Sequence, residues 1–449
     1  MLNVYENQLI EQLPKSWKEN QSGLEKFLEE NWKNRSIFYD DEENSSHQQF
    51  INFKLKVGLK TNNYIGTIVY DNEQINIFPK VFKEKNKLQS DLLLKDFVYN
   101  LSVWLSYCDK LNFPFVEINN KLNEINSLAE LLIAIYTRYV DNAVKTRPFY
   151  QYEEREETGS TIRGRIDVAD YYCNKMPQAE YHRMNYRFSE FVHDNLLNRI
   201  IKCVCKYIYS ITNQESIKNI LRKLFIKLGN ISDVNCKPFE CDLIHLNRLN
   251  NDYEIILRLS KIFLYNKQGS NTQGSYGSFC FLFPSEMLFE GFVAGFMREH
   301  LKDKASITAQ SSKFSLADIA INGENKGKAF NIKPDILIEH QENIYIADTK
   351  YKLINLDNND NNKYGISQSD MYQMVSYAIR YKCKQLFLLY PLQYKEEIID
   401  EPAITYTVTD YLSYADISIK IVKVPFIFKD KDEKNLTLLK STIDKMIRE

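Results

Sequence analysis

Residues 331–354 read NIKPDILIEHQENIYIADTKYKLI. Two β-rich stretches, NIKPDILIEH (331–340) and NIYIADTKYKLI (343–354), flank the polar pair Gln341-Glu342, the pattern of an antiparallel hairpin with a short loop. A loop at that position fixes the register and places Asp335 opposite Asp348. Opposed residues have Cβ atoms ~5 Å apart and project to the same face. Asp348 and Lys350, two apart on one strand, also share a face, ~6.6 Å apart along it. Two carboxylates and one ammonium are therefore expected on one side of a sheet, and a slip of one residue would separate them. Ile344 and Ile346 lie on the same face as Asp348, so something apolar must cover that side.

Outward from the hairpin, the pattern is helix, three strands, helix, strand. A helix starts at Pro284-Ser285, with Ser285 as N-cap and Leu288, Phe289, Phe292, Val293 and Phe296 as its apolar stripe. It carries Glu290, off the stripe's centre. A vaguely defined strand lies within 305–320. After the hairpin, SDMYQMVSYAIRYK (369–382) is helical, with Met371, Met374, Val375, Ala378 and Ile379 on one face, and QLFLLYP (385–391) reads as a buried strand.

Two carboxylates this close repel each other unless a cation joins them. A hard divalent ion meets that need, with Mg²⁺ the expected choice and Mn²⁺ an expected substitute. Such an ion polarises a phosphodiester and acidifies a bound water, while the lysine stabilises charge building on phosphorus. Asp335, Asp348 and Lys350 are the candidate catalytic residues. Glu290 is a candidate third metal ligand beside the two aspartates.

The chain has 449 residues, 44% hydrophobic and 26% charged, with net charge −1. This excludes collagen-like and disordered classes and gives no global basic field, so any nucleic-acid surface must be local. The N-terminus lacks a signal-peptide pattern, and no run approaches a membrane span, so a cytoplasmic, non-membrane protein is expected. Eight scattered cysteines lack paired metal-ligand spacing and read as reduced, buried thiols. Residues 1–145 are expected to form an N-terminal region, helical and polar over the first ~50, with strands or a hairpin in 51–80 around Asp71-Asn72. The loop DDEENSS (40–46) separates these parts. Residues 146–275 form a mainly helical middle, irregular over 145–185 and ending in the linker-like KQGSNTQGSYGS (267–278). Residues 181–230 hold nine Lys/Arg against three Asp/Glu, the charged face of an amphipathic helix or a phosphate surface. Arg163 and Arg165 in TIRGRIDV either meet a partner or phosphates, or brace the acidic EEREE stretch. Residues 276–449 hold the candidate site.

Pro334-Asp335 and Asp348-Thr349-Lys350, in that order of elements, resemble the PD-(D/E)xK nuclease superfamily. Gln373 and Tyr377, one turn apart on the following helix, are similar to the QxxxY motif of RecB-type nucleases, which implies that they support the site and the substrate strand. YIGTIVY, INIFPK, IRGRIDV, MLFEGFV, KPDILI and IADTKYK together resemble the McrC subunit family of McrBC-type modification-dependent restriction systems. The resemblance implies an α/β (α+β multidomain) chain with a C-terminal PD-(D/E)xK nuclease core. It implies a DNA endonuclease that docks through its N-terminal region onto a separate McrB-like AAA+ GTPase ring, stimulates its GTP hydrolysis, and cuts DNA. The chain contains no GxxxxGK[ST] run, so any motor is a separate polypeptide. The alternatives are a non-catalytic DNA-binding activator of such a motor, and a stand-alone sequence-specific restriction endonuclease.

Overall fold

In this computed structural model the structure describes residues 2–10, 13–33, 50–54, 58–71, 73–83, 90–108, 128–247, 250, 252–270, 279–321, 324–354, 363–393, 404–410, 415–429 and 434–448. The DDEENSS loop, Asn72 and residues 271–278 of the linker lie outside the described residues. The protein is mixed α/β. Two compact units form: Met1–Leu131 with Ser275–Glu449, and Leu132–Gly274. The segments expected as separate N-terminal and C-terminal regions thus share one unit.

Within that unit a six-stranded sheet runs in the spatial order Ser306–Ala309, Ile336–His340, Asn343–Thr349, Gln385–Pro391, Ala415–Val424, Ile404–Asp410. The Asn343–Thr349 strand pairs antiparallel with Ile336–His340 and parallel with Gln385–Pro391. The hairpin register is the expected one: Ile336 faces Ala347 and His340 faces Asn343. Gln341 adopts a left-handed backbone (φ 54) in the two-residue turn. Leu337, Ile346, Leu386 and Leu388 are buried with Met374, Tyr377 and Ala378 of the helix Gln368–Tyr381, with Ile344 packed against them. The isoleucines beside Asp348 therefore have their apolar cover. Ile379, assigned to the buried face, is instead exposed; Tyr377 and Tyr381 take the buried positions.

The strand expected over 331–340 is two pieces. Residues 331 and 332 end an inserted ribbon, Phe314–Ile321 paired antiparallel with Glu324–Ile332, and the sheet strand begins at Ile336. Pro334, which cannot donate to a ladder, lies in the break. The helix expected after Pro284-Ser285 runs Ser285–Leu301 with its stripe buried, but Pro284 occupies the N-cap and no side chain caps it; the Ser285 hydroxyl is bonded to Glu6 instead. Gly291 and Gly295 let this helix approach Tyr107 and Cys108 closely. A Cβ at Gly295 would lie 1.7 Å from the Tyr107 carbonyl oxygen.

The first ~50 residues are not only helical. Leu2–Tyr5 pairs parallel with Glu73–Phe78, which continues to Tyr64–Tyr70 and then Phe279–Pro284 in a four-stranded sheet. Gly66 is needed at that last junction: it has φ 144, and a Cβ there would stand 2.0 Å from the Phe281 carbonyl oxygen. Helices Lys15–Glu19 and Gln21–Lys33 follow.

The Leu132–Gly274 unit buries Ile200, Val204, Leu221, Leu224 and Phe263 from the helices Leu196–Ile211, Glu215–Lys227 and Asp252–Ser270. The segment expected to be irregular is a sheet, in the order Gln151–Gly159, Met184–Val192, Arg165–Ile166. Its charged, exposed residues gave no hydrophobic alternation to read. EEREE is braced by the neighbouring strand, with Arg187 on Glu156, Arg155 and Glu190 2.9 Å apart, and Tyr186 donating to Glu157. Of the 181–230 surplus, Arg199, Lys202, Lys206 and Arg222 are paired with Asp194, Asp233 and Glu215.

Candidate functional site

The site forms where the central hairpin ends. Asp348 is the first residue beyond the last antiparallel pair, still hydrogen-bonded in the parallel ladder opposite Leu388. Asp335 lies one residue before Ile336, in a bend rather than on the strand. Its Oδ2 accepts two hydrogen bonds from Thr349, one from the backbone N–H and one from the hydroxyl, each 2.8 Å. Those bonds tie the two chain ends across the sheet and aim Asp335 at the place the register implied.

Asp348 is 1% exposed. The Lys350 ammonium lies 2.6 Å from its Oδ2 as an ion pair, yet neither Asp348 oxygen has an aligned hydrogen bond among the described residues. Burial, and then the Asp335 charge, push its carboxyl up to about 7 against the opposing pull of Lys350. For Lys350, burial works against the charged form, but Asp348, Asp335 and Asp370 outweigh it and hold the ammonium above its ordinary pKa. Lys350 is therefore a cation at neutral pH, suited to orienting a water or an anionic transition state rather than to taking a proton.

Lys350 lies beyond the strand end, and its placement comes from its neighbours. Its backbone N–H donates to the Leu389 carbonyl at 2.8 Å. Its ammonium donates to Gln373 Oε1 at 3.2 Å, Gln373 Nε2 donates to the Tyr377 hydroxyl at 2.7 Å, and that hydroxyl donates to the Lys333 carbonyl at 3.0 Å. The relay runs from the lysine through one helical turn to the backbone just ahead of Pro334-Asp335. The helix N-cap is Ser367, whose hydroxyl accepts from the Asp370 N–H.

Glu290 is half-buried, and its Oε1 accepts from Gln310 Nε2 at 3.3 Å. Gln310 in turn donates its backbone N–H to the Asp335 carbonyl. Glu290 is thus tethered to the Asp335 bend, but among the described residues no three His, Cys, Asp or Glu side chains converge as a metal cage. The structure brings together Asp335, Asp348, Lys350, Gln373 and Tyr377, and leaves Glu290 outside that cluster as a third ligand. The donors present fit Mg²⁺, which is commonly held by one or two carboxylates with water and phosphate completing its shell. The buried Asp348 Oδ1, which meets no donor among the described residues while Oδ2 faces Lys350, is what such an ion would satisfy.

The sequence reading missed Thr349, hidden inside the D-T-K motif, and Glu6, which no motif marks. Glu6 is 4% exposed and ties four segments together. Its Oε1 accepts from the Lys80 N–H and the Tyr351 hydroxyl, each 2.8 Å, and its Oε2 from the Ser285 hydroxyl at 2.5 Å. Tyr351 directly follows Lys350.

Over residues 59–391 the sequence matches the family described as McrBC 5-methylcytosine restriction system component. The chain belongs to that family. Its fold is similar to that of a chain in the tetradecameric assembly of Thermococcus gammatolerans McrB AAA+ hexamers with bound McrC, at 16% identity and TM-score 0.69 over 99% of each chain. A chain of the Thermococcus gammatolerans McrBC complex, seen by cryo-electron microscopy, is 18% identical, with TM-score 0.49, over 67% of this chain and 88% of that one. The comparison with curated proteins returns no match. Among the described residues no helix is long and apolar enough to cross a membrane.

Proposed function

We propose that this McrBC family member is the Mg²⁺-dependent DNA endonuclease subunit of its restriction system, cytoplasmic, and active when assembled with an AAA+ GTPase ring that it also stimulates. The carrying observation is Asp348: a buried carboxylate, between Asp335 and a lysine held cationic, whose Oδ1 meets no donor among the described residues. The surrounding helix, strands, helix and strand support a PD-(D/E)xK reading of the core, and the similar Thermococcus assembly, McrB AAA+ hexamers with bound McrC, supports the partner. Mg²⁺, when bound, would polarise the scissile phosphodiester and acidify a water. Asp335 and Asp348 would hold it, with Thr349 keeping Asp335 oriented. Lys350 would face the charge developing on phosphorus, and Gln373 and Tyr377 would keep that ammonium from swinging away.

Among the described residues no third carboxylate converges on the pair, which favours one competing reading, a non-catalytic DNA-binding activator of the motor. Retention of both aspartates and the lysine weighs against it. Cleavage of modified DNA in the presence of the AAA+ partner, Mg²⁺ and GTP decides between them. Asp348→Ala and Lys350→Ala are expected to lower cleavage by about 10³-fold or more while assembly and GTP hydrolysis persist. Normal cleavage by either variant refutes the nuclease assignment.

A further inference from the structure

The ribbon Phe314–Ile321/Glu324–Ile332 is inserted between two strands of the central sheet and ends three residues before Asp335. A two-stranded ribbon with neither face covered is marginal in water, and this one leaves Phe314, Leu316, Ile319 and Phe330 exposed. Its root is firmly held. Ile332 is buried, the Phe314 ring meets Tyr381 edge-on at 4.8 Å, and Ser315 bonds Asn331. The Tyr381 hydroxyl donates to the Ser311 carbonyl, and the Tyr377 hydroxyl to the Lys333 carbonyl. The helix that supports Lys350 therefore also fixes the direction in which the ribbon leaves the site.

Three features of the ribbon point to its occupant. Residues 313–333 contain four lysines, one aspartate and one glutamate, a surplus of two positive charges in a chain of net charge −1. Lys313 pairs with Glu339, Lys326 with Glu324, and Lys328 stands opposite Asp318; with Glu339 counted the surplus is one charge, and phosphates would take these lysines over from exposed carboxylates that hold them only weakly. Phe330 is 74% exposed with a left-handed backbone (φ 57), a conformation that costs a bulky residue energy without any packing in return. The ladder shifts register between Ile319 and Ala320, opposite Gly327 in a left-handed conformation, and such irregularities increase twist. A twisted β-ribbon fits the major groove of duplex DNA, and strands of eight and nine residues reach roughly 25–30 Å, enough to cross it.

The geometry points to a DNA-binding arm: the Phe314–Ile332 ribbon grips a groove of duplex DNA beside the phosphodiester faced by Asp335, Asp348 and Lys350, its lysines on phosphates and Phe330 against a base or sugar. This rests on the nuclease reading above.

The test is equilibrium binding of a labelled duplex oligonucleotide by the full chain across a salt series, with a calorimetric Mn²⁺ titration alongside. Lys326→Glu/Lys328→Glu is expected to weaken binding at least tenfold and to flatten the salt slope by about two units. Phe330→Ala is expected to weaken it about tenfold or more, through the lost apolar burial of one ring in the groove. All variants should melt as the wild type does, since the altered side chains are exposed. Wild-type affinity and slope in folded ribbon variants overturn the proposal; if those variants instead lose an AAA+ partner, the ribbon is a protein surface. Absence of DNA binding by the wild-type chain at about 50 mM salt also overturns it. The nuclease reading fails separately, by equal Mn²⁺ uptake in wild type and Asp348→Asn.

Discussion

Burial and the adjacent Asp335 charge push the Asp348 carboxyl up to about 7, and the sign of that shift has a consequence for stability. An acid whose folded pKa lies above its unfolded value binds more protons when folded. Its contribution is full below the unfolded value of about 4 and is lost as pH rises through about 7. In EDTA the wild-type protein should therefore melt progressively lower between about pH 5 and pH 8, by an amount on the order of a few kcal/mol. Glu6, also raised by burial, acts in the same direction, so the comparison with Asp348→Asn isolates the site. That variant should lose less stability over the same interval, and excess Mg²⁺ should restore the wild type but not the variant. Parallel melting curves for the two proteins would show that Asp348 does not carry the shift. At this scale the aspartates and the lysine were legible because a two-residue turn leaves no freedom in register. The grip of Thr349 on Asp335 was not, because it depends on Asp335 leaving the strand for a bend.

Among the elements, the helix Gln368–Tyr381 does most to convert sequence into a site. Its buried face covers the apolar side of the hairpin, and the turn facing the sheet edge holds Lys350 and the Lys333 carbonyl with the two polar residues Gln373 and Tyr377. Tyr377→Phe keeps the ring packed but removes the hydroxyl that joins Gln373 to Lys333. It should cost about 1 kcal/mol in melting experiments and reduce cleavage kcat about tenfold, with KM little changed, because the lysine loses its bracing rather than the DNA its binding surface. An equal rise in KM at constant kcat would place Tyr377 on the substrate instead. The spacing of Gln373 and Tyr377 was visible in the sequence because i and i+4 share a helix face. The ribbon was not, since the single strand expected within 305–320 stands where the sheet strand Ser306–Ala309 and the first ribbon strand Phe314–Ile321 both lie, and the second ribbon strand, Glu324–Ile332, was not expected. Exposed β-structure, here and in Gln151–Val192, lacks the alternation that burial imposes.

At the scale of the molecule, the reading by consecutive blocks failed where the chain returns to its beginning. Phe279–Pro284 completes a sheet started by Leu2–Tyr5, and Glu6 links that sheet's first strand to Lys80, Ser285 and Tyr351. No local pattern announces such a contact, because each residue is ordinary in its own segment and only the folded chain brings them together. Glu6 is a strong test of how far the first residues matter to the site at the other end of the sequence. Glu6→Ala leaves the Ser285 and Tyr351 hydroxyls and the Lys80 N–H without their acceptor in a buried place, and orphaned polar groups of this kind cost about 1–3 kcal/mol each. Partial hydration will reduce the sum, so a loss of about 3 kcal/mol is expected by denaturant titration. Glu6→Gln keeps an acceptor oxygen and should recover more than half of it. Cleavage should follow the same order, wild type above Gln above Ala, when measured well below the variants' melting temperatures, because Tyr351 is the residue that anchors the chain immediately after Lys350. If Glu6→Ala is destabilised yet cuts at the wild-type rate under those conditions, the first strand serves only folding and the Lys350 position is set by Leu389 and Gln373 alone.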